Sequence, residues 1–432
     1  MSDAVIISAA RTPIGRARKG SLVDARPDDL AAFAIDAALN QVPELDRGDI
    51  VDVMLGCGFP EQKQGMNLAR RAALLAGLPA SVPGTTVNRF CASSLQTIRM
   101  AFHAIRAGEG DAFVAGGVES ITQVDGYPKD VEELHPKLFG DDAPIANVYI
   151  PMGMTAENVA EQWDVSREEM DRYAQRSQER AVAAQDSGFF ARELTPWNGV
   201  VADDGPRRGS TLEKLAELEP AFRPGGRVTA GNSCPLNDGA AAVVVTSEEK
   251  AQELGVKPWA RIIASAVSGV EPEIMGVGPI GAVRRVLEQA GMTIDDVDVV
   301  ELNEAFAAQV LPVSRELGID PFGEKLNPHG GAIALGHPYG MTGARIMCTL
   351  LNDLETLDGH IVVCGWSSAA PLLITQVHAS QPSPVPIVVI AVFVFVLSIG
   401  NFVTPDLLGG GKVQMVGNLI YDQFLSARDW PF

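Results

Sequence analysis

The sequence predicts an α/β fold made of two similar halves, with a helical insertion between them and a tail of different character behind them. Three observations lead there. Strand-like and helix-like stretches alternate through the first 120 residues. A matching alternation returns after residue 260. Charge then falls away abruptly near residue 370. The chain has 432 residues, 46% hydrophobic and 20% charged, enough for a large core and unlike a disordered or fibrous chain. Acidic residues outnumber basic ones by 54 to 34, a formal charge of -20. No basic footprint for a phosphate backbone is evident, which argues against nucleic acid as a partner. Five cysteines without a CxxC pair are too few for a disulfide framework and point to a reduced cytoplasmic compartment. No charged stretch followed by an apolar one opens the chain, as a secretory leader would.

The first half reads in order. Ala4–Ala9 is a short apolar strand. Asp29–Asn40 carries apolar residues at helical spacing. Asp52–Cys57 is a second strand and Leu68–Leu75 a helix. Gly84–Asn88 leads into Cys91, Leu95–Arg106 is helical, and Ala112–Gly116 is a strand again. This rhythm predicts a mostly parallel sheet covered on both faces.

The second half echoes it. Pro279–Ala290 repeats Asp29–Asn40, and Asp298–Leu302 repeats Asp52–Cys57. Asn327–Gly343 followed by Ala344–Leu354 repeats Asn88–Ser94 followed by Leu95–Arg106. An internal duplication with two sheets packed together follows. Between the halves, 121–227 is richer in charge, Pro and Gly. Its strong helix, Arg167–Gln185, starts at Ser166 with Glu169 three residues on, a capping box. The expected bounds are 1–120 plus 228–260 for the first half, 121–227 for the inserted loop domain, 261–370 for the second half and 371–432 for the tail.

Residues 371–432 hold five charged side chains, Asp406, Lys412, Asp422, Arg428 and Asp429, against 83 in the first 370. The tail contains an uninterrupted apolar run of eleven residues, Ile387–Leu397. A bilayer crossing takes about 20. Two readings stand: a buried strand or helix, or a piece of a membrane protein.

Cys91 sits in VNRFCASSLQTIRM, where a strand ends, a sharp turn follows and a helix begins near Ser93. A cysteine at a helix N-terminus has a lowered pKa and faces free amides, so Cys91 is a candidate nucleophile. The alternative is a small buried cysteine. The stretch GGAIALGHPYGMTGAR, Gly330 to Arg345, surrounds His337 with glycines just before a helix. Such a loop permits close backbone approach, and its histidine is a candidate base near neutral pH. The repeat sets His337 opposite the Cys91 loop. Asn303 and Glu304 end the strand Asp298–Leu302, at the carboxyl end where such sheets bind ligands. Asn303 suits an oxyanion or water contact; a cap for a helix from Ala305 is the plainer reading. His329 is near enough in sequence to line the same cleft, His103 reads as core or surface, and His135 is unassigned. No residues have metal-ligand spacing, and no phosphate-binding glycine motif follows a strand.

On these motifs the chain resembles the thiolases, from SAARTPIGR (Ser8–Arg16) to about Gly359. The resemblance implies a thiolase-like fold of two pseudo-symmetric βαβαβαββ halves with a loop domain. It implies that Cys91 in CASSLQT is the nucleophile, that Asn303 in NEAFA holds a catalytic water and that His337 in GHP is the base. It implies thiolytic cleavage of 3-ketoacyl-CoA by coenzyme A, a co-substrate, with no permanently bound cofactor. Arg207 and Ser210 would lie near its nucleotide, and the segment of Cys234 along the pantetheine arm. Met154 would lie beside the acyl pocket. Where the family carries serine, this chain has Cys234. The resemblance also implies homodimers or homotetramers.

The chain departs from the family in one motif. A CxGGG sequence, whose cysteine moves the proton at the substrate's alpha carbon, should follow His360. Here the chain reads HIVVCGWSSAAPLLITQ, with Ser367 where the cysteine is expected, Ala369 in place of a glycine, and Cys364 three residues early. The tail from Phe395 resembles a fragment of a polyamine-type ABC transporter permease. The expected activity is therefore that of a thiolase. An impaired homologue or related condensing enzyme is one alternative, and a membrane-transport fragment with weak membrane association through the tail another.

Overall fold

Successive residues of the first strand face different cores, and that alternation explains the layers. Ala4 and Ile6 pack with one buried cluster while Val5 and Ile7 pack with another, as pleated backbone requires. The computed structural model describes residues 2–126, 131–144 and 147–356, and three further strands at 361–365, 372–376 and 389–393. The strands are β1 (Ala4–Arg11), β2 (Gly15–Arg16), β3 (Asp52–Gly56), β4 (Gly84–Val87), β5 (Ala112–Ser120), β6 (Asn237–Ser247), β7 (Ala260–Ser268), β8 (Val299–Leu302), β9 (Ile361–Gly365), β10 (Leu372–Gln376) and β11 (Val389–Phe393). The helices are α1 (Pro27–Leu39), α2 (Leu68–Leu75), α3 (Ser93–Ala107), α4 (Met152–Gln162), α5 (Arg167–Asp186), α6 (Leu212–Ala216), α7 (Glu248–Leu254), α8 (Pro279–Ala290), α9 (Ala307–Glu316), α10 (Ala332–Leu335) and α11 (Thr342–Thr356).

In the first half the strands run β4, β3, β5, β6, β1. β3 is parallel to β4 and β5, and β6 is antiparallel to β5 and β1. The second half repeats the order as β8, β9, β10, β7, with β8 parallel to β9 and β10 antiparallel to β9 and β7. A bridge from Val300 to Leu326 stands outermost, where β4 stands in the first half. The two sheets are also joined edge to edge, a feature the repeat alone does not suggest: β1 pairs with β7 through Ala4↔Ile262, Val5↔Arg261 and Ile6↔Ala260.

Helices fill three layers around this sheet. α1 and α2 cover the outer face of the first half. α8 and α9 cover that of the second half, together with residues of α4 and α5 from the inserted segment. α3 and α11 lie between the halves, packed on β5, β6 and each other. Burying both faces of every central strand explains why β1, β5 and β6 read as continuous apolar runs. The predicted capping box is half present: the Ser166 hydroxyl accepts the Glu169 N–H at 3.2 Å.

Five residues of the apolar run in the tail, Val389–Phe393, form β11, parallel to β7 and β9. Ser367, Ala369 and the permease-like residues from Phe395 onward lie outside the described residues, as does the side chain of Cys364. Among the described residues no helix is long and apolar enough to cross a membrane.

Candidate active site

Cys91 stands in the turn Phe90–Ala92 that delivers the chain from β4 into α3. Phe90 adopts φ +45°, a left-handed conformation that costs a bulky residue about 1–3 kcal/mol. Side chains hold the turn there. Asn88 Oδ1 accepts the Phe90 N–H at 2.8 Å, and the Ser93 hydroxyl accepts the Arg89 N–H at 2.8 Å and donates to the Phe90 carbonyl at 2.6 Å. Cys91 is thereby fixed, buried, at the start of a fifteen-residue helix, where the helix dipole favours a thiolate.

His337 follows α10 and Gly336. A side chain at Gly336 would strike the Asn237 amide, at 2.6 Å, and its φ is +110°. Asn237 Oδ1 accepts the His337 N–H at 2.9 Å. The ring Nδ1 lies 2.9 Å from the Thr342 hydroxyl, which itself donates to the Pro338 carbonyl at 2.7 Å. The hydroxyl proton is thus committed, so Nδ1 carries the ring hydrogen and Nε2 the lone pair. Burial, then the Arg345 charge, push the His337 pKa down to about 3. The imidazole is neutral at physiological pH, the form a base needs.

The two loops meet. The Phe90–Ala92 turn packs against the Tyr339–Met341 turn. The Phe59 ring lies between them, edge-on to Phe90 at 6.0 Å and to Tyr339 at 5.7 Å, and Tyr339 is 5.0 Å from the His337 ring. Asn303 is fully buried after β8, and among the described residues neither its amide oxygen nor its nitrogen has a partner. Beside it, Glu304 accepts the Tyr173 hydroxyl at 2.9 Å, Asn327 Nδ2 at 2.8 Å, the Ser177 hydroxyl at 2.6 Å and the Ile333 N–H at 3.2 Å. The helix-cap reading of this pair fails, because α9 begins at Ala307 without a side-chain cap.

Cys234 joins the group. Its N–H donates to the Ala305 carbonyl at 2.9 Å, and Ser233 bridges to Phe306. Burial, then the charge of nearby Cys91, push the Cys234 thiol up. Met154 lies in the first turn of α4, which packs on Phe222; Phe222 in turn meets Phe306 at 5.9 Å. Arg207 sits further out. Its N–H donates to Gln178 Oε1 at 2.8 Å, and Gln178 donates to the Ile333 carbonyl at 3.2 Å. Burial, then the charge of Arg16, lower the Arg207 pKa, and burial, then Arg16 and Arg207, lower that of Lys19. This corner is cationic in a strongly acidic chain. Ser210 lies half-buried in the turn before α6.

Other sequence candidates fall elsewhere. His329 stacks on Phe189 at 3.6 Å and lies 2.6 Å from Asp353; His103 contacts the Ser265 hydroxyl at 2.9 Å. Cys57 and Cys348 are buried with their thiols pushed up, by burial first and then by Glu119 and Glu193 respectively. Among the described residues no cluster of His, Cys, Asp and Glu could hold a metal ion. Sequence reasoning missed Asn237, Thr342 and Glu119, which act through contacts with the His337 loop.

The N-terminal domain model of the thiolases matches residues 4–249, and the C-terminal domain model matches residues 256–372. The chain belongs to the thiolase family. The match passes beyond Gly359, where the motif resemblance stops, and takes in β9. This thiolase is 43% identical to the β-ketoadipyl-CoA thiolase of Acinetobacter baylyi over 393 residues, 84% of this chain and 96% of that one. It is 45% identical to the 3-oxoadipyl-CoA/3-oxo-5,6-dehydrosuberyl-CoA thiolase of Escherichia coli, with the same coverage. It is 44% identical to the 3-ketoacyl-CoA thiolase of Bacillus subtilis over 385 residues, 84% of this chain and 96% of that one. The crystal structure of the Bacillus anthracis acetyl-CoA acetyltransferase resembles it with a TM-score of 0.78 at 37% identity, covering 87% of this chain and 99% of that one.

Proposed function

We propose that this thiolase is an acyl-CoA C-acyltransferase that cleaves a 3-ketoacyl-CoA with coenzyme A through an acyl-enzyme on Cys91. The observation that carries the reading is the meeting of the Cys91 turn with the loop of a neutral, buried His337. The names of its relatives, thiolases of 3-ketoacyl-CoA and β-ketoadipyl-CoA, support the substrate class.

His337 Nε2 takes the Cys91 thiol proton, and the first turn of α3 stabilises the thiolate. The sulfur attacks the 3-keto carbon and a C–S bond forms. The C2–C3 bond then breaks, its electrons pass to the departing acetyl-CoA, and C2 takes up the proton that His337 had gained, relayed by the acid of the CxGGG position. Coenzyme A next attacks the thioester and returns Cys91 while its thiol proton passes to His337. The unpartnered amide of Asn303 suits a water that hydrogen-bonds the developing oxyanion. Arg207 and Ser210 are assigned to the nucleotide end of coenzyme A, Cys234 to its pantetheine arm and Met154 to the acyl pocket. Segment 121–227 acts as the loop domain between halves 1–120 plus 228–260 and 261–370. A cytoplasmic homodimer or homotetramer completes the reading.

A second reading, an impaired thiolase, rests on Ser367, which stands where the family has its second cysteine. A hydroxyl is a far weaker acid than a thiol, so protonation of C2 slows while acylation of Cys91 survives. Incubation with acetoacetyl-CoA and coenzyme A, following acetyl-CoA, separates the two. Mass spectrometry of the intact protein reports the acyl-enzyme, which Cys91→Ala abolishes. A wild-type chain that neither turns over nor acylates refutes both.

A further inference from the structure

We propose that Glu119 and Glu304 are positioning residues, two buried carboxylates that hold opposite ends of the His337 loop so that its imidazole meets Cys91. The proposal rests on the Cys91–His337 reading and goes beyond it by naming what sets their geometry.

Glu119 ends β5, in the first half. Its Oε2 accepts the N–H of Gly58 at 2.7 Å and of Gly340 at 2.8 Å. Its Oε1 accepts Gln64 Nε2 at 2.6 Å and the Phe59 N–H at 3.2 Å, and the Cys57 thiol approaches at 3.7 Å. Four N–H donors occupy the four lone-pair directions of one carboxylate. Burial pushes its pKa up, yet a proton on either oxygen would displace a donor. The contact with Gly340 pins the far end of the His337 loop, where there is no room for slack: a side chain at Gly340 would meet the Val118 carbonyl at 2.5 Å and the Cys57 Cα at 2.7 Å. The contact with Phe59 fixes the ring that touches both Phe90 and Tyr339. One carboxylate thus addresses both sides of the Cys91–His337 meeting.

Glu304 pins the near end. It accepts the Ile333 N–H in α10, and Gly331 lies so close that a side chain there would meet the carboxyl carbon at 2.3 Å. Its remaining partners, Tyr173, Ser177 and Asn327, tie that end to α5 and to the segment after α9. Glu304 also neighbours Asn303, so one anchor serves two groups of the site. Neither carboxylate pairs with a lysine or arginine among the described residues. A buried charge with only neutral donors is costly to keep where shape alone is wanted. Its return here is a fixed loop geometry, and a misplacement of about 1 Å at a reacting group costs roughly 100-fold.

The test uses the full chain with Glu119→Gln and Glu304→Gln. A carboxamide keeps the shape but turns one arm into a donor facing N–H groups. The readouts are the pH profile of Cys91 alkylation by iodoacetamide, the saturating rate and half-saturation of Cys91 acylation by acetyl-CoA, and Tm. Both variants should move the alkylation profile up toward that of a free thiol, about pH 8.5. The saturating acylation rate should fall about 100-fold with half-saturation nearly unchanged. Ile35→Val, on the buried face of α1 in the outer core, should lower Tm and leave the profile where it was. Tyr173→Phe removes one donor to Glu304, preserves the charge, and should give a smaller shift of the same sign even if a glutamine variant fails to fold. Wild-type profiles and rates in the variants that fold overturn the proposal, as does an equal shift in Ile35→Val. An unactivated, unacylated Cys91 in the wild type would instead refute the thiolase reading itself.

Discussion

In the first half the slot between β5 and β1 is filled by one eleven-residue strand, β6, which pairs with β1 through 241–247 and with β5 through 238–246. In the second half the matching slot between β9 and β7 is shared. β10 supplies five residues running antiparallel, as β6 does, and β11 supplies five running the other way. Backbone hydrogen bonds do not read side chains, so two short apolar strands can complete a sheet where one long strand does in the other half. Site chemistry does not substitute so freely. β6 starts level with the end of β5, Asp238 opposite Ser120, and so brings Asn237 to His337. β10 first meets β9 at Val363, two residues short of its end. Residues 366–371, between β9 and β10, read Trp-Ser-Ser-Ala-Ala-Pro. The second half keeps its architecture, and the sequence that follows β9 is not CxGGG.

The comparison breaks most visibly if the motif is restored. Replacing the chain from His360 onward with a family strand carrying CxGGG should raise acetoacetyl-CoA thiolysis by about 10²–10³, the scale of one oxyanion donor. Equal turnover by the native chain would mean that Ser367 or Cys364 serves the site after all. The first half should meanwhile be chemically intact. Iodoacetamide at pH 8 should modify Cys91 at least about tenfold faster than Cys57, Cys234 or Cys348, whose thiols are pushed up by burial. Peptide mapping at short times reads this directly, and uniform labelling would deny the elbow its role.

A third measurement asks how firmly the first half holds the buried His337. Its folded pKa of about 3 lies below the unfolded value of 6.5, so the unfolded chain binds the extra proton. Stability is complete above about pH 6.5 and falls as pH drops toward 3, by about 1.4 kcal/mol per unit. Glu301 and Asp353 have raised values and act in the opposite sense. Urea titrations at pH 6.5 and 5.5 should therefore show the slope as a difference between wild type and His337→Asn. The smallest effect concerns the shared slot. A chain ending at Gln376 should lose amide-exchange protection at Ala266–Ser268, the partners of β11, with a Tm drop of a few degrees, about 1 kcal/mol. Unchanged protection would show that β11 contributes nothing to the sheet.

Much of this was legible in the sequence because it is local. The elbow at Cys91 shows as strand, turn and helix in succession, and the His337 loop shows in its glycines. The repeat disclosed that the two halves are alike. What could not be read is long-range. Glu119 and Gly340 are 221 residues apart, and nothing in GGVES indicates which amides its carboxylate will collect. The β1–β7 junction is equally silent, since an edge strand and a central strand share one apolar pattern. His329 misled for the opposite reason: nearness in sequence to His337 did not survive the turn at Gly330, and the ring went to Phe189 and Asp353.

The junction of β1 with β7 has a mechanical consequence. Rocking the halves apart, as hinged enzymes do to admit a substrate, would have to shear the pairs from Ala4↔Ile262 to Ile6↔Ala260. It would also have to pull α3 from α11, where the Ala344 N–H donates to the Ser94 hydroxyl at 2.9 Å and Gly343 leaves no room above Leu95. The catalytic floor is therefore a rigid keel. A substrate that reaches Cys91 does so without the two halves parting.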